Sequence, residues 1–260
     1  MIRTLKRQVH RTAERTSSHQ FLCAVALCAA AAIVPAQAGT IDFEGYFGPA
    51  VHGSGVQSGG YDLNFLSNVP GAVVGEDFVG SFLDGLDRES CDASLSCPVN
   101  NASTYYGALN DSFITISSNT EARRFAINGF DASFIGSTAN LASYPAVSGL
   151  IRILGIRADP SSVVETYQLA GPSAAGFNFA QYTTTAAFRS NAFVEAYLFG
   201  FTCNDIGSCT AFTSDRGQFG IDNIDLTAIP EPSSFLLFGV GMLGLGAVAR
   251  RRRTSLRTSL

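Results

Sequence analysis

Tryptophan is absent from the chain, methionine occurs twice and histidine three times. From residue 39 to residue 228 there is no lysine and a single histidine, His52. These gaps exclude several chemistries. A serine-histidine-aspartate triad in that stretch would have to use His52, which sits in a Gly/Ser loop, VHGSG, and no G-x-S-x-G elbow accompanies it. No H-E-x-x-H metal motif occurs. The glycines of HGSGVQSGG are not followed by Lys-Ser/Thr, so nothing cradles a phosphate. Without tryptophan, the strongest stacking surface for a sugar ring is missing.

The chain's net charge of −4 hides an uneven division. Five basic residues fall in the first 38 positions and five in the last 32. The stretch between keeps seven arginines against nineteen acids, a net charge of −12. Such a surface repels nucleic acid and anionic lipid, which excludes nucleic-acid partners. It suits solubility in the first place, and neutral or cationic ligands in the second.

The two ends carry export information. Arg3, Lys6, Arg7, Arg11 and Arg15 form a basic leader, Phe21 to Val34 is an apolar core, and Ala36-Gln37-Ala38 is a small-x-small cleavage site. This reads as a Sec signal peptide over residues 1–38. Residues 39–228 then form the mature ectodomain, long enough for one domain with a full core. At the other end, residues 229–260, Pro230-Glu231-Pro232 precede an uncharged run from Ser233 to Ala249 and the block Arg250, Arg251, Arg252 and Arg253. Seventeen residues of helix span about 25 Å, the short end of a bilayer core. Four glycines in the run suit a membrane helix better than a soluble one, and the arginines mark its cytoplasmic flank. The two prolines make an extended, exposed joint.

Pro-Glu-Pro, a Gly-rich apolar stretch and an arginine block, in that order, resemble the PEP-CTERM sorting signal of Gram-negative bacteria. The same tail is also labelled an ice-binding-protein C-terminal domain. The resemblance covers about Ile229 to Arg253. It implies recognition by an exosortase-type membrane transpeptidase, transit through the inner membrane, removal of the anchor, and release or attachment at the cell surface, often beside exopolysaccharide. It implies nothing about the ectodomain. Ice binding needs a regular threonine ladder, and Thr183-Thr184-Thr185 is a single run.

Four cysteines remain in the ectodomain, Cys91, Cys97, Cys203 and Cys209, as two C-x5-C pairs. Outside the cytoplasm an even count reads as disulfides. Three pairings exist. The favoured one joins Cys91 to Cys97 and Cys203 to Cys209, each closing a small polar loop. The spacing is too wide for zinc, and no histidine is near.

Short alternating or β-branched runs between turn signals predict an all-β, antiparallel sandwich. Expected strands are 40–44, 61–66, 113–117, 124–128, 132–135, 150–156, 163–169, 177–183, 192–202 and 218–226. Val147–Arg157 should be a central strand. His52–Gly60 and Ser90–Thr104 read as loops, and a helix is expected around Asp77–Leu86. In FGIDNIDL the apolar phase slips by one at Asp222-Asn223, which predicts a β-bulge there.

An opening D-F-E strand with a closing F-x-I-D-N-I strand resembles jelly-roll domains of the carbohydrate-binding-module type. In these, carboxylates from the two end strands hold a structural calcium. That resemblance implies Glu44 and Asp222 as ligands, with Asp42 and Asp225 behind them. Calcium needs six to eight oxygens, so backbone or water must supply the rest.

For catalysis, a glycosidase needs two facing carboxylates. Glu121, Glu165 and Glu195, besides Glu44, sit in strand-like contexts, and nothing else suggests an enzyme. For sugar stacking, Tyr46, Tyr61, Tyr105, Tyr106, Tyr144 and Tyr182 are candidates. The sequence therefore predicts a non-enzymatic, exported structural or adhesive protein with weak carbohydrate binding. The alternative is a secreted polysaccharide hydrolase.

Overall fold

The computed structural model describes residues 38–119, 124–139, 141–214 and 216–229, together with Gly241 and Gly244. Residues 1–37 of the expected signal peptide, Pro230-Glu231-Pro232, the arginine block and Glu121 lie outside the described residues, as does the apolar run apart from those two glycines; Ala38, the last residue of the expected peptide, is the first residue of β1. No described helix is long and apolar enough to cross a membrane.

In chain order the first strands are β1 (Ala38–Ile41), β2 (Gly48–Val51), β3 (Ser54–Ser58), β4 (Tyr61–Ser67), β5 (Phe78–Asp84), β6 (Leu95–Ser96), β7 (Thr104–Ala108) and β8 (Ser112–Ser118). Then follow β9 (Arg124–Phe134), β10 (Gly136–Ser137), β11 (Val147–Arg157), β12 (Ser162–Ala170) and β13 (Ala180–Thr183). A single helical turn, α1 (Ala186–Arg189), leads to β14 (Phe193–Cys203), β15 (Cys209–Thr210) and β16 (Phe219–Ile229). Every pairing is antiparallel.

The sheet follows the path β2-β5-β7-β16-β9-β14-β8-β4-β3, with β11 and β12 continuing from β14. Among the described residues β9 and β14 share one bridge, Phe125 to Phe193, whereas β14 pairs at length with β11 and β8. The sheet bends there, and its two halves close face to face. Phe65 on β4 shows this closure: its ring centroid lies 4.1 Å from that of Tyr106 on β7 and 5.5 Å from that of Phe82 on β5, strands far away along the path. The core between the layers is phenylalanine-rich, with Phe43, Phe65, Phe125, Phe130, Phe134, Phe193 and Phe219 fully buried. Phenylalanine supplies the large apolar area that tryptophan would otherwise provide.

The expected all-β sandwich is therefore what forms. β11 is an interior strand, paired on both sides. Residues 124–128 and 132–135 are one continuous strand, β9. Three expectations fail. Asp77–Leu86 contains β5 and no helix. Val79 and Leu83 are buried four residues apart, a spacing that both a helix and a strand can produce, and pairing with β2 and β7 decides it. His52–Gly60 contains β3, an edge strand of small polar residues without an apolar signature. Of 177–183 only Ala180–Thr183 is strand.

The run Thr183-Thr184-Thr185 has three separate roles. Thr183 closes β13, the buried Thr184 hydroxyl donates to the Ile127 carbonyl at 2.7 Å, and the Thr185 side chain caps α1. On the outer face of β14, Phe199 and Phe201 are half-buried. Phe212 stacks on Phe199, and the Arg152 guanidinium lies 4.6 Å over the Phe201 ring. These contacts close that outer aromatic face rather than leave it open.

Candidate functional site

The bulge in β16 falls at a seam in the sheet. Along one edge of β16, Phe219 to Ile221 pair with β7, while Ile224 to Thr227 pair with β1. Asp222 and Asn223 lie in the gap between these neighbours. The ladder to β9 shifts register there, and Asn223 takes φ +48. The added residue restores the apolar phase, so Ile221, Ile224 and Leu226 are all fully buried. Asn223 turns outward and Asp222 turns inward, where it is fully buried.

A buried carboxylate needs donors. The segment before β7 provides them: Asn101 Nδ2 donates to Asp222 Oδ2 at 2.9 Å, and Ser103 Oγ donates to the same oxygen at 2.6 Å. The Asn223 N–H donates to Asp222 Oδ1 at 2.8 Å. Burial nevertheless dominates and raises the Asp222 pKa above the usual aspartate value; the three donors oppose it, and Asp131 adds to it. Glu44, just beyond β1, accepts the Thr104 N–H at 3.1 Å, so Glu44 and Asp222 hold the two ends of one short segment. Asp42 accepts the Glu44 N–H at 3.3 Å, and Asp225 is a half-buried ladder residue opposite Thr40 and Gly129. No three His, Cys, Asp or Glu side chains gather as a metal set among the described residues.

Glu165 and Glu195 lie on opposite faces of their sheet. Glu165 pairs across from the buried Ile153 and accepts the Thr185 N–H at 3.0 Å. Glu195 pairs across from Ile156 on the outer face and accepts the Tyr197 hydroxyl at 2.8 Å. Two carboxylates on opposite faces cannot flank one glycosidic bond. Among the tyrosine candidates, Tyr61, Tyr105 and Tyr106 are core residues and offer no sugar platform. The Tyr106 hydroxyl donates to the Val79 carbonyl at 3.2 Å; desolvation raises the pKa of Tyr105 and Tyr106 alike. Tyr46 and Tyr182 spend their hydroxyls on the carbonyls of Gln57 and Gln168. Tyr144 alone among the six lines a cleft at the end of the sandwich where both disulfide loops meet.

That cleft, about 710 Å³, opens at the end of the sandwich where β9 and β14 finish and β16 begins. Both disulfides form as expected, Cys91 to Cys97 and Cys203 to Cys209. Both loops border the cleft, through Ser94 and Leu95 from the first and Asn204, Asp205 and Ser208 from the second. The first loop is tied down twice. β6 pairs with β10, and the Thr138 N–H donates to the Ser94 carbonyl at 3.0 Å. Inside the second, Asn204 Oδ1 accepts the Ser208 N–H at 2.9 Å. Ser214 and Arg216 stand on a third wall, held by the buried Asp111 carboxylate, which accepts N–H groups from Ser214 at 3.1 Å and Gly217 at 2.8 Å. Tyr144 packs edge-on against Phe134 and Phe177, and its hydroxyl accepts the Ser137 N–H at 2.7 Å. Gly136 makes room for that ring, since a Cβ there would lie 2.8 Å from Tyr144 and 2.6 Å from Phe177.

Sequence reasoning missed Asn101, Ser103, Asp111, Gly136 and Ser137. Asn101 and Ser103 form a local turn, with the Ser103 N–H donating to Asn101 Oδ1, and N-x-S is its visible trace. Their partner Asp222 is more than a hundred residues away, beyond any local signal.

The fold and its seam define the class: an antiparallel β-sandwich whose last strand runs directly into an export tail. Residues 228–253 match the PEP-CTERM protein-sorting motif. The match covers the tail and leaves the sandwich unassigned. No curated protein matches the chain in sequence. Among solved structures, a DUF4465 family protein from Bacteroides ovatus superposes with TM-score 0.36 at 10% identity, covering 74% of this chain and 99% of that one. The enzymatically active domain of tailspike protein 4 from bacteriophage CBA120 gives TM-score 0.24 at 15% identity over 74% of this chain and 21% of that one. A family 16 carbohydrate-binding module gives 0.27 at 12% identity over 56% and 84%. At such scores these likenesses carry no argument about ligand or activity.

Proposed function

We propose that this is a non-catalytic sandwich protein, exported by its signal peptide and displayed at the cell surface or in extracellular polysaccharide after an exosortase-type transpeptidase removes the anchor. Its role there is structural or adhesive, with weak carbohydrate binding. The observation that carries the reading is the sorting motif at 228–253, which begins within the last residues of β16. The test is fractionation of cells with and without the sorting enzyme, with mass determination of the C-terminus. A processed chain outside the wild-type cell and an intact chain held in the inner membrane of the mutant support it. An intact chain in the cytosol refutes it.

The absence of catalysis is supported by the glutamates on opposite faces and by the cleft, where Asp205 is the one carboxylate among the described lining residues. Release of reducing ends from polysaccharide by the purified protein would favour the hydrolase reading instead.

A structural calcium on Glu44 and Asp222, with Asp42 and Asp225 behind, is a separate proposal. Its support is that Glu44 and Asp222 meet at one segment. It requires Asn101 and Ser103 to turn from donating hydrogen bonds to presenting oxygens. A thermal melt that is the same in calcium and in chelator rules it out.

A further inference from the structure

We propose that the cleft between the two disulfide loops binds a neutral oligosaccharide, end-on, at the pole of the sandwich far from Ile229. The proposal rests on the carbohydrate-binding part of the reading above and gives that binding a place.

The first argument is chemical. The lining mixes hydroxyl and amide side chains such as Ser137, Thr202, Thr210 and Asn204 with apolar surface from Leu95, Pro145 and the Tyr144 ring, the combination a sugar's hydroxyls and C–H faces require. Hydroxyls both donate and accept, which matches a ligand whose own groups are hydroxyls. The two charged side chains among the described lining residues, Asp205 and Arg216, are both exposed and of opposite sign. The net negative charge of the ectodomain disfavours an acidic polymer. The volume falls within the ordinary range of small-ligand sites, roughly 300–1,000 Å³.

The second argument is rigidity. Weakly binding hydroxyl ligands gain little from each contact, so a site for them benefits from walls that are ordered in advance. Three of its walls are fastened: one loop by a disulfide and β6, one by a disulfide and Asn204, one by the Asp111 carboxylate. Tyr144 is fixed by Phe134, Phe177 and the Ser137 N–H, so one aromatic surface stands in a set orientation beside the hydroxyls.

The third argument is position. β16 begins at Phe219, next to Gln218 in the cleft, and ends at Ile229, where the sorting tail follows. Eleven extended residues separate the two by about 35 Å. The cleft therefore lies at the far pole from the point where the chain leaves the sandwich.

The experiment uses the full chain purified from membranes of cells lacking the sorting enzyme. Isothermal titration and ligand-observed NMR are run with cellohexaose, laminarihexaose and galactohexaose, and with hexagalacturonate as the anionic control. The expected result is binding of at least one neutral hexasaccharide, stronger than hexagalacturonate. Ser137→Trp, which fills the cleft from an exposed position, and Tyr144→Ala should each weaken it about tenfold or more. Tyr46→Ala, on a different part of the sandwich, should leave it unchanged, and all variants are checked for an unaltered far-UV spectrum. Binding that survives Ser137→Trp overturns the cleft while leaving carbohydrate binding standing. Preference for hexagalacturonate, or no binding to any neutral hexasaccharide, overturns the proposal and leaves surface display to the fractionation result.

Discussion

The Ser103 hydroxyl donates to the buried Asp222 carboxylate at 2.6 Å across 119 residues of chain. This bond joins β16 to the segment before β7 at the point where β16 passes from its β7 neighbour to its β1 neighbour. Ser103→Ala leaves a buried carboxylate short of a donor and should cost about 1–3 kcal/mol. The Asp222 pKa is raised in the fold, so its contribution to stability is present at low pH and lost as pH rises from the ordinary aspartate value through the folded one. Ser103 favours the charged form. Its removal should therefore cost more at pH 7 than near pH 4, as read from urea unfolding at both. An equal loss at the two values would show that Asp222 does not change its protonation between them.

The second disulfide closes a loop with a sequence separation of only six, so its effect on the unfolded chain is modest. The double variant Cys203→Ser with Cys209→Ser should lose about 2 kcal/mol in chemical denaturation. It should remain folded, because β14 and β16 are anchored along their length by other strands.

Gly200 and Gly217 pass backbone against backbone beside the cleft. A Cβ on Gly200 would collide with the Gly217 carbonyl, and one on Gly217 would collide with the Gly200 carbonyl. Gly200→Ala should destabilise by about 1–3 kcal/mol in urea unfolding. The double alanine variant should lose less than the sum of the two singles, since both changes relieve themselves by the same separation of strands.

Burial raises the pKa of Tyr105 and Tyr106 above the usual tyrosine value. Groups of this kind stabilise the fold below about pH 10, and that stabilisation is lost as pH rises past it. In an alkaline titration followed at 295 nm, these two rings should ionise only together with loss of the near-UV circular dichroism. A smooth titration of all tyrosines while that signal persists would contradict their burial.

Much of the architecture was legible in the sequence because alternation is a local property. The slip of phase in FGIDNIDL announced the β16 bulge, and the cysteine spacing announced the two loops. What stayed illegible depends on partners distant in sequence. β5 carries Val79 and Leu83 at a spacing shared by helix and strand, and only β2 and β7 resolve it. Tyr105 and Tyr106 read as surface aromatics beside a polar loop, yet β5 and β16 enclose them. The cleft was hidden for the same reason. Its walls come from five separate stretches of chain, none with a motif of its own, and only closure of the sandwich assembles them.

β1 lies antiparallel to the end of β16, with Ala38 opposite Thr227, two residues before the last residue of that strand, Ile229. Arrival and departure thus share one doorway. An epitope or fluorophore placed at Ala38 would report the surroundings of Ile229, and would say little about events at the disulfide-bearing tip. A probe for that tip has to be grafted into a hairpin there, and bridging residues 38 and 229 with a short linker would make a circular permutant whose new ends open at that tip.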